Sequence, residues 1–312
     1  VVHGDMNGVQ ITGLANLAGG TMRGVQLAGI SNISGNNTVG LSAAGLVNIT
    51  GDRTQGVIIS GLTSIGGDNT SGLMISGFMN VTGNMASGLH FSGAANITGQ
   101  SFGGLMASGL LNVVGEHMNG LQIAGIANIT ASKLNGVQIA LCNYVTQACG
   151  LQIGLVNYYK EDMKGFQLGL VNANPDTRVQ MMVYGGNATP VNIGVRFKNQ
   201  LFYTILGVGS MYQGLNDKFS ASASYRAGLS FPLYKGLSIS GDLGYQHIEA
   251  FDNKDEVIPK RLYALQARAN LEYQFTRKFG IFATGGYGLT RFYNKSSNYD
   301  KGAIIEAGIV LF

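Results

Sequence analysis

Two cysteines, four histidines and an asparagine that recurs through the first half are the residues of this 312-residue chain equipped to do chemistry. Cys142 and Cys149 could close a disulfide in an oxidising compartment or remain two thiols, and their spacing leaves both readings open. His3, His90, His117 and His247 match no metal-ligand spacing, and His3 and His117 fall at similar places in polar connecting segments. No H-E-x-x-H, P-loop, nucleophile-elbow or C-x-x-C motif occurs, so no catalytic residue, cofactor or metal site is assigned and an enzyme is not expected. Asn16, Asn32, Asn48, Asn80, Asn96, Asn112 and Asn128 recur at a fixed spacing, with Ser64 where the series lapses. A column of this kind can stack its amides into a hydrogen-bonded ladder. Several members also open N-x-S/T triplets, the glycosylation acceptor pattern, as in Asn48-Ile49-Thr50 and Asn96-Ile97-Thr98. One repeated unit creates all of those triplets at once, which favours the ladder.

The elements that must position these residues follow from the glycines. Glycine recurs every sixteen residues at 8, 24, 40, 56, 72, 88, 104, 120 and 136, and a second glycine follows five residues later in the first eight of these units. Internal repetition this regular marks a stacked architecture. Within a unit Val9 and Ile11 alternate with Gln10 and Thr12, the pattern of a strand. The later units shorten to fourteen and fifteen residues, yet a large apolar residue still follows the second glycine. A flat strand would turn every later side chain over on such a deletion, whereas a corner at the glycine absorbs it. Residues 1–175 are therefore expected to form a β-solenoid of sixteen-residue coils. Ten coils at about 4.8 Å would make a rod on the order of 50 Å long. The competing reading takes Val9, Ile11, Gly13, Ala15 and Leu17 as the lipid-facing side of a strand, which would make the repeats part of one large barrel.

Residues 176–312 have another character, because three of the four prolines and most of the aromatic and charged residues lie there. In 219–231 Phe219, Tyr225, Leu229 and Phe231 share one face and Ser222, Arg226 and Ser230 the other. In 262–275 Tyr263, Leu265, Leu271 and Tyr273 oppose Gln266, Arg268 and Glu272. Strands of this length, apolar on one side and charged on the other, fit an antiparallel transmembrane β-barrel with a polar interior. Eight strands are expected, at 179–186, 190–198, 201–213, 219–233, 236–250, 261–276, 279–293 and 302–312, with short turns alternating with longer loops at 213–218, 251–260 and 294–301. An eight-stranded barrel is filled by its own side chains. Arg226 and Arg268 are expected to pair inside it with Asp242, Glu272 and Glu306, in the register that turns Ile305, Ala307, Ile309 and Leu311 outward. The alternative use of such charges is a proton or ion path, but groups of both signs favour pairing.

Composition bounds the function. The chain is 45% hydrophobic and 12% charged with 48 glycines, which excludes collagen, a disulfide miniprotein and bulk disorder. A net charge of +4 is too balanced to point to nucleic acid. The segments GLQIGLVN at 150–157 and GFQLGLVN at 165–172, with the coils before them, resemble the bacterial surface-repeat proteins built on GLQIGLVN-like units, and the downstream stretch is similar to the C-terminal region of their Bacteroidota members. The resemblance implies a location in the envelope of a Gram-negative bacterium and carries no catalytic residue to this chain. Residues 1–8 are similar to the end of a unit at 113–120, so a preceding unit is expected. The expected protein is a non-enzymatic outer-membrane protein whose barrel anchors the repeats as a structural or interaction surface. Its partners would be the lipid bilayer and an unidentified envelope protein or surface ligand. The alternatives are a large-barrel pore or transporter and a surface adhesin. Tyr158, Tyr159 and Phe166 are a candidate binding patch.

Overall fold

The computed structural model describes residues 1–210, 219–251, 261–293 and 298–312. It is all-β and divides into Val1–Gly169 and Leu170–Phe312; the boundary expected from the sequence was at 175.

The first unit is a parallel β-solenoid of about ten turns. Each coil has a long arm, such as Arg53–Ser60, and a short arm, such as Thr63–Gly66. Arms pair with their equivalents one coil on, Arg53 with Asn69 through Ser60 with Ser76, always in parallel. The repeats are thus coils, and the single large barrel does not form: its strands would have to pair antiparallel with their sequence neighbours. Every second residue of a coil faces inward, as Thr54, Ile58, Ser60 and Ser64 do. The rhythm breaks at three places per coil, represented by Gly56, Leu62 and Asp68, where the chain turns and a position due inside is not buried.

Gly104 shows why the sixteen-residue glycine is obligatory. Its φ is +128°, a region costly for any residue with a Cβ, and a Cβ there would lie 2.2 Å from the carbonyl oxygen of Gly88 in the coil below. The second glycine marks the next corner, and there the shortened coil loses one residue: Ile123 and Ala127 pair with Ile139 and Cys142. A second residue is lost at the connector, in the register shift between Thr130 and Lys133.

The second unit is a closed barrel of eight strands. These are β1 (Arg178–Gly186), β2 (Val191–Asn199), β3 (Phe202–Ser210), β4 (Ser220–Tyr234), β5 (Leu237–Ala250), β6 (Arg261–Thr276), β7 (Phe279–Phe292) and β8 (Asn298–Leu311). Each pairs antiparallel with the next, and β1 closes the ring on β8. β8 starts at Asn298, four residues before the expected 302, because Lys301 and Asp300 still pair with Leu289 and Thr290. The expected loop at 213–218, nearly all of that at 251–260 and half of that at 294–301 lie outside the described residues. Outward positions carry Val191, Ile193, Leu243, Leu271 and Ile305. Aromatic groups gather toward each end of β6, Tyr263 with Tyr245 and Tyr293, and Tyr273 with Phe275.

Candidate functional site

Three features could carry function: the amide columns inside the solenoid, the charged lumen of the barrel, and the outer faces of the coils. The asparagine column is buried throughout. Each amide spans two coils, as Asn96 does: its Nδ2 donates to Asn112 Oδ1 at 2.9 Å and to the Ala107 carbonyl at 2.8 Å. The same pair of bonds recurs at Asn16, Asn32, Asn112 and Asn128. Asn48 and Asn80 make theirs on either side of Ser64. Burial leaves these amides no room for an oligosaccharide. At Ser64 three hydroxyls replace the missing amide. Asn48 Nδ2 donates to Ser60 Oγ at 2.7 Å, Ser60–Ser64 and Ser64–Ser76 contacts of 2.7 and 2.8 Å follow, and Ser76 Oγ donates to Asn80 Oδ1 at 2.6 Å. The ladder also runs further than the seven asparagines singled out in the sequence, through Asn143 and Asn157. A parallel glutamine ladder, Gln167 to Gln152 to Gln138 to Gln122, was visible in the sequence only as the third residue of GLQI-like units.

His90 stands in the same column as these glutamines, in register between Met74 and Met106 and edge-on to Phe102 at 4.9 Å. It is 1% exposed, and its Nε2 has no hydrogen-bond partner. Burial among these side chains lowers its pKa from 6.5 to about 4, so the folded protein holds it neutral. The unfolded chain takes up the proton first on acidification. The stability that depends on a neutral His90 is therefore complete above about pH 6.5 and is lost as the pH falls toward about 4. Full protonation would cost roughly 3 kcal/mol. His90→Met should flatten that part of the pH dependence, read as the difference in urea midpoint between about pH 7 and pH 4.5. An unchanged difference would mean that other groups carry it.

In the barrel, three arginines meet three carboxylates. Arg226 of β4 is 1% exposed and grips Asp242 of β5 through Nε at 2.9 Å and Nη2 at 2.8 Å. Asp242 also accepts from Tyr203 at 2.8 Å and from Asn270 at 2.8 Å. Arg268 of β6 donates twice to Glu306 of β8 at 3.2 Å, and Arg226 Nη1 lies 3.6 Å from the same carboxylate. Glu272 pairs instead with Arg196 of β2, at 2.5 and 2.9 Å. Arg196 was not singled out in the sequence, although it lies on the polar phase of β2 with Asn192 and Lys198, between Val195 and Phe197. Glu306 faces inward and Ile305 outward. Below this layer, at the short-turn end, a cavity of about 700 Å³ is lined by Arg178, Lys198, Ser230 and Lys235.

No protein-family model matches the sequence, and no curated protein matches it. Neisserial surface protein A (NspA) aligns at 8% identity over 43% of this chain and 93% of its own, with a TM-score of 0.30.

Cys142 and Cys149 are free and exposed, so the disulfide reading is corrected. Both lie on the strand Cys142–Ile153, on opposite sides of its register shift between Val145 and Gln147. That path holds them on the order of 10–20 Å apart, against a Cα limit of about 7 Å for a disulfide. Tyr158, Tyr159 and Phe166 do not form one patch: Tyr158 stacks outside on Tyr144, Tyr159 is buried in the interior, and Phe166 stands exposed. Among the described residues no three His, Cys, Asp or Glu side chains gather as metal ligands.

Proposed function

We propose that this chain is a non-enzymatic outer-membrane protein of a Gram-negative, Bacteroidota-type bacterium, in which the barrel is a membrane anchor and the solenoid a structural or interaction surface. The carrying observation is the side-chain distribution of the barrel, with aliphatic and aromatic residues outside and a paired arginine–carboxylate layer within. Hydrocarbon outside and no free water inside is the environment that stabilises this arrangement. The charged layer fills the lumen, which supports an anchor over an open pore.

β1 begins at the end of the barrel that holds the short turns 199–201, 235–236 and 277–278. Short turns face the periplasm in barrels of this kind. The repeats, which precede β1, accordingly enter from the periplasmic side and serve an envelope-scaffold role. An epitope inserted between Asp52 and Arg53 of the full chain tests this. The protein should fractionate with the outer membrane, and the epitope should be shielded from antibody and protease on intact cells and reached after permeabilisation. Recovery in the soluble fraction would sink the anchor. Access on intact cells would move the repeats outside and favour an adhesin. In planar bilayers steady channels would contradict the filled lumen.

A further inference from the structure

The solenoid turns its most apolar side chains outward. Ile123 and Ile126 are 37% and 52% exposed, while Gln122 and Asn128 of the same coil are fully buried. The pattern is general. Two sides of the coil, the second half of the long arm and the short arm, present columns of Val, Leu and Ile, and they meet at a ridge formed by Leu46, Leu62, Phe78, Leu110 and Ile126. Over the whole unit the polar side chains on these two sides are Ser31 and Thr63 hydroxyls and, near the C-terminal end, Cys142 and the stacked pair Tyr144 and Tyr158. The charged residues, among them Arg53, Asp68, Glu116, Lys133 and Asp162, all lie on the third side and its connector corner.

We propose that the occupant of the two apolar sides is bilayer hydrocarbon: the solenoid lies along a membrane surface with its ridge sunk among the acyl chains and its charged side in water. Several observations converge on lipid. The exposed apolar area, on the order of 1,000 Å² for ten coils, exceeds the few hundred Å² a soluble monomer leaves open. The columns repeat from coil to coil without charge or hydrogen-bonding groups that would fix the register of a protein partner, whose interface would carry about one hydrogen bond per 100–200 Å². A fluid hydrocarbon needs no register. Backbone polarity, the usual obstacle to placing a corner in lipid, is already satisfied at the ridge. Leu62 N–H donates to the Leu46 carbonyl at 2.9 Å, Phe78 to Leu62 at 2.9 Å and Ile126 to Leu110 at 3.0 Å. The Tyr144–Tyr158 pair, with rings 5.7 Å apart, is the kind of amphipathic group that settles at a membrane–water boundary. Because the charged side runs the full length of the rod, the rod lies in the membrane plane and does not cross it.

The inference rests on the reading of the chain as a membrane protein, and the native thiols allow the two to be tested separately. Cys142 sits on an apolar side between Ala127 and Val156, and Cys149 on the polar side between Asn135 and Lys164. Three single-cysteine forms of the full chain are needed: Cys149→Ser, Cys142→Ser, and Ala269→Cys with both native cysteines replaced by serine. Ala269 faces outward in mid-β6. Each is labelled with an environment-sensitive fluorophore and reconstituted into phosphatidylcholine vesicles with brominated acyl chains. The labels at 142 and 269 should lose most of their emission relative to unbrominated vesicles, and the label at 149 should keep it. Quenching at 269 without quenching at 142 would overturn the lipid inference and leave the anchor intact. Absence of quenching at 269 would overturn both. Cys142 unquenched and cross-linking efficiently between copies would assign the face to a second copy of this chain.

Discussion

Arg226→Met should destabilise the barrel by about 3–5 kcal/mol, the range for breaking a buried ion pair from one side. Arg226 is the hub of the lumen, bonded to Asp242 twice and to Asn270 Oδ1 at 3.1 Å, with Glu306 at 3.6 Å. Methionine matches its volume but leaves Asp242 buried with only the neutral donors Tyr203 and Asn270. Glu306 would keep Arg268 and suffer less. The loss should appear as a lower urea midpoint for barrel unfolding in lipid vesicles or detergent. Removing the stranded charge as well, in Arg226→Met with Asp242→Leu, should recover much of it, since a packed apolar pair is often as stable as the buried salt bridge it replaces. A cost below about 1 kcal/mol for the single substitution would mean that water reaches the lumen, and the argument for a filled anchor would fail with it.

Two substitutions of the same kind in the asparagine ladder should differ sharply. At Asn128→Ser the flanking positions are Ala124 and Ala140, so nothing replaces the bonds to Ile139 O at 2.9 Å and Asn143 Oδ1 at 3.1 Å or the one accepted from Asn112 at 3.0 Å. Buried groups are left unpaired, at roughly 2–4 kcal/mol. At Asn96→Ser the flanking residues are Ser92 and Ser108, whose hydroxyls are buried without partners. They occupy the places that Ser60 and Ser76 hold around Ser64, where three hydroxyls carry the ladder across the gap. The cost there should stay below about 1 kcal/mol. Thermal unfolding of the full chain followed by far-ultraviolet circular dichroism would compare them. Equal losses would show that the hydroxyl relay does not substitute for the amide.

Much of this molecule was open to reading in one dimension because its information is periodic. A glycine every sixteen residues announces stacked coils, since each such position needs a positive φ and room for the carbonyl of the coil below, and no other residue supplies both. The eight barrel strands were legible because inward and outward residues alternate over nine or more positions, and the Arg226, Arg268 and Glu306 set because it lies on the inward phase. What stayed hidden needed proximity between residues far apart in the chain. Arg196 finds Glu272 across 76 positions, and only barrel closure sets that pairing. The thiols of Cys142 and Cys149 are near in sequence and apart in space, because an extended strand carries them away from each other. Alternation likewise separates the two faces of a coil without saying which is inside. The direction of the turns at Gly56, Leu62 and Asp68 settled that, placing asparagine and glutamine within and the aliphatic columns without. A strand pattern is symmetric under exchange of its faces, and only the curvature of the closed coil breaks the symmetry.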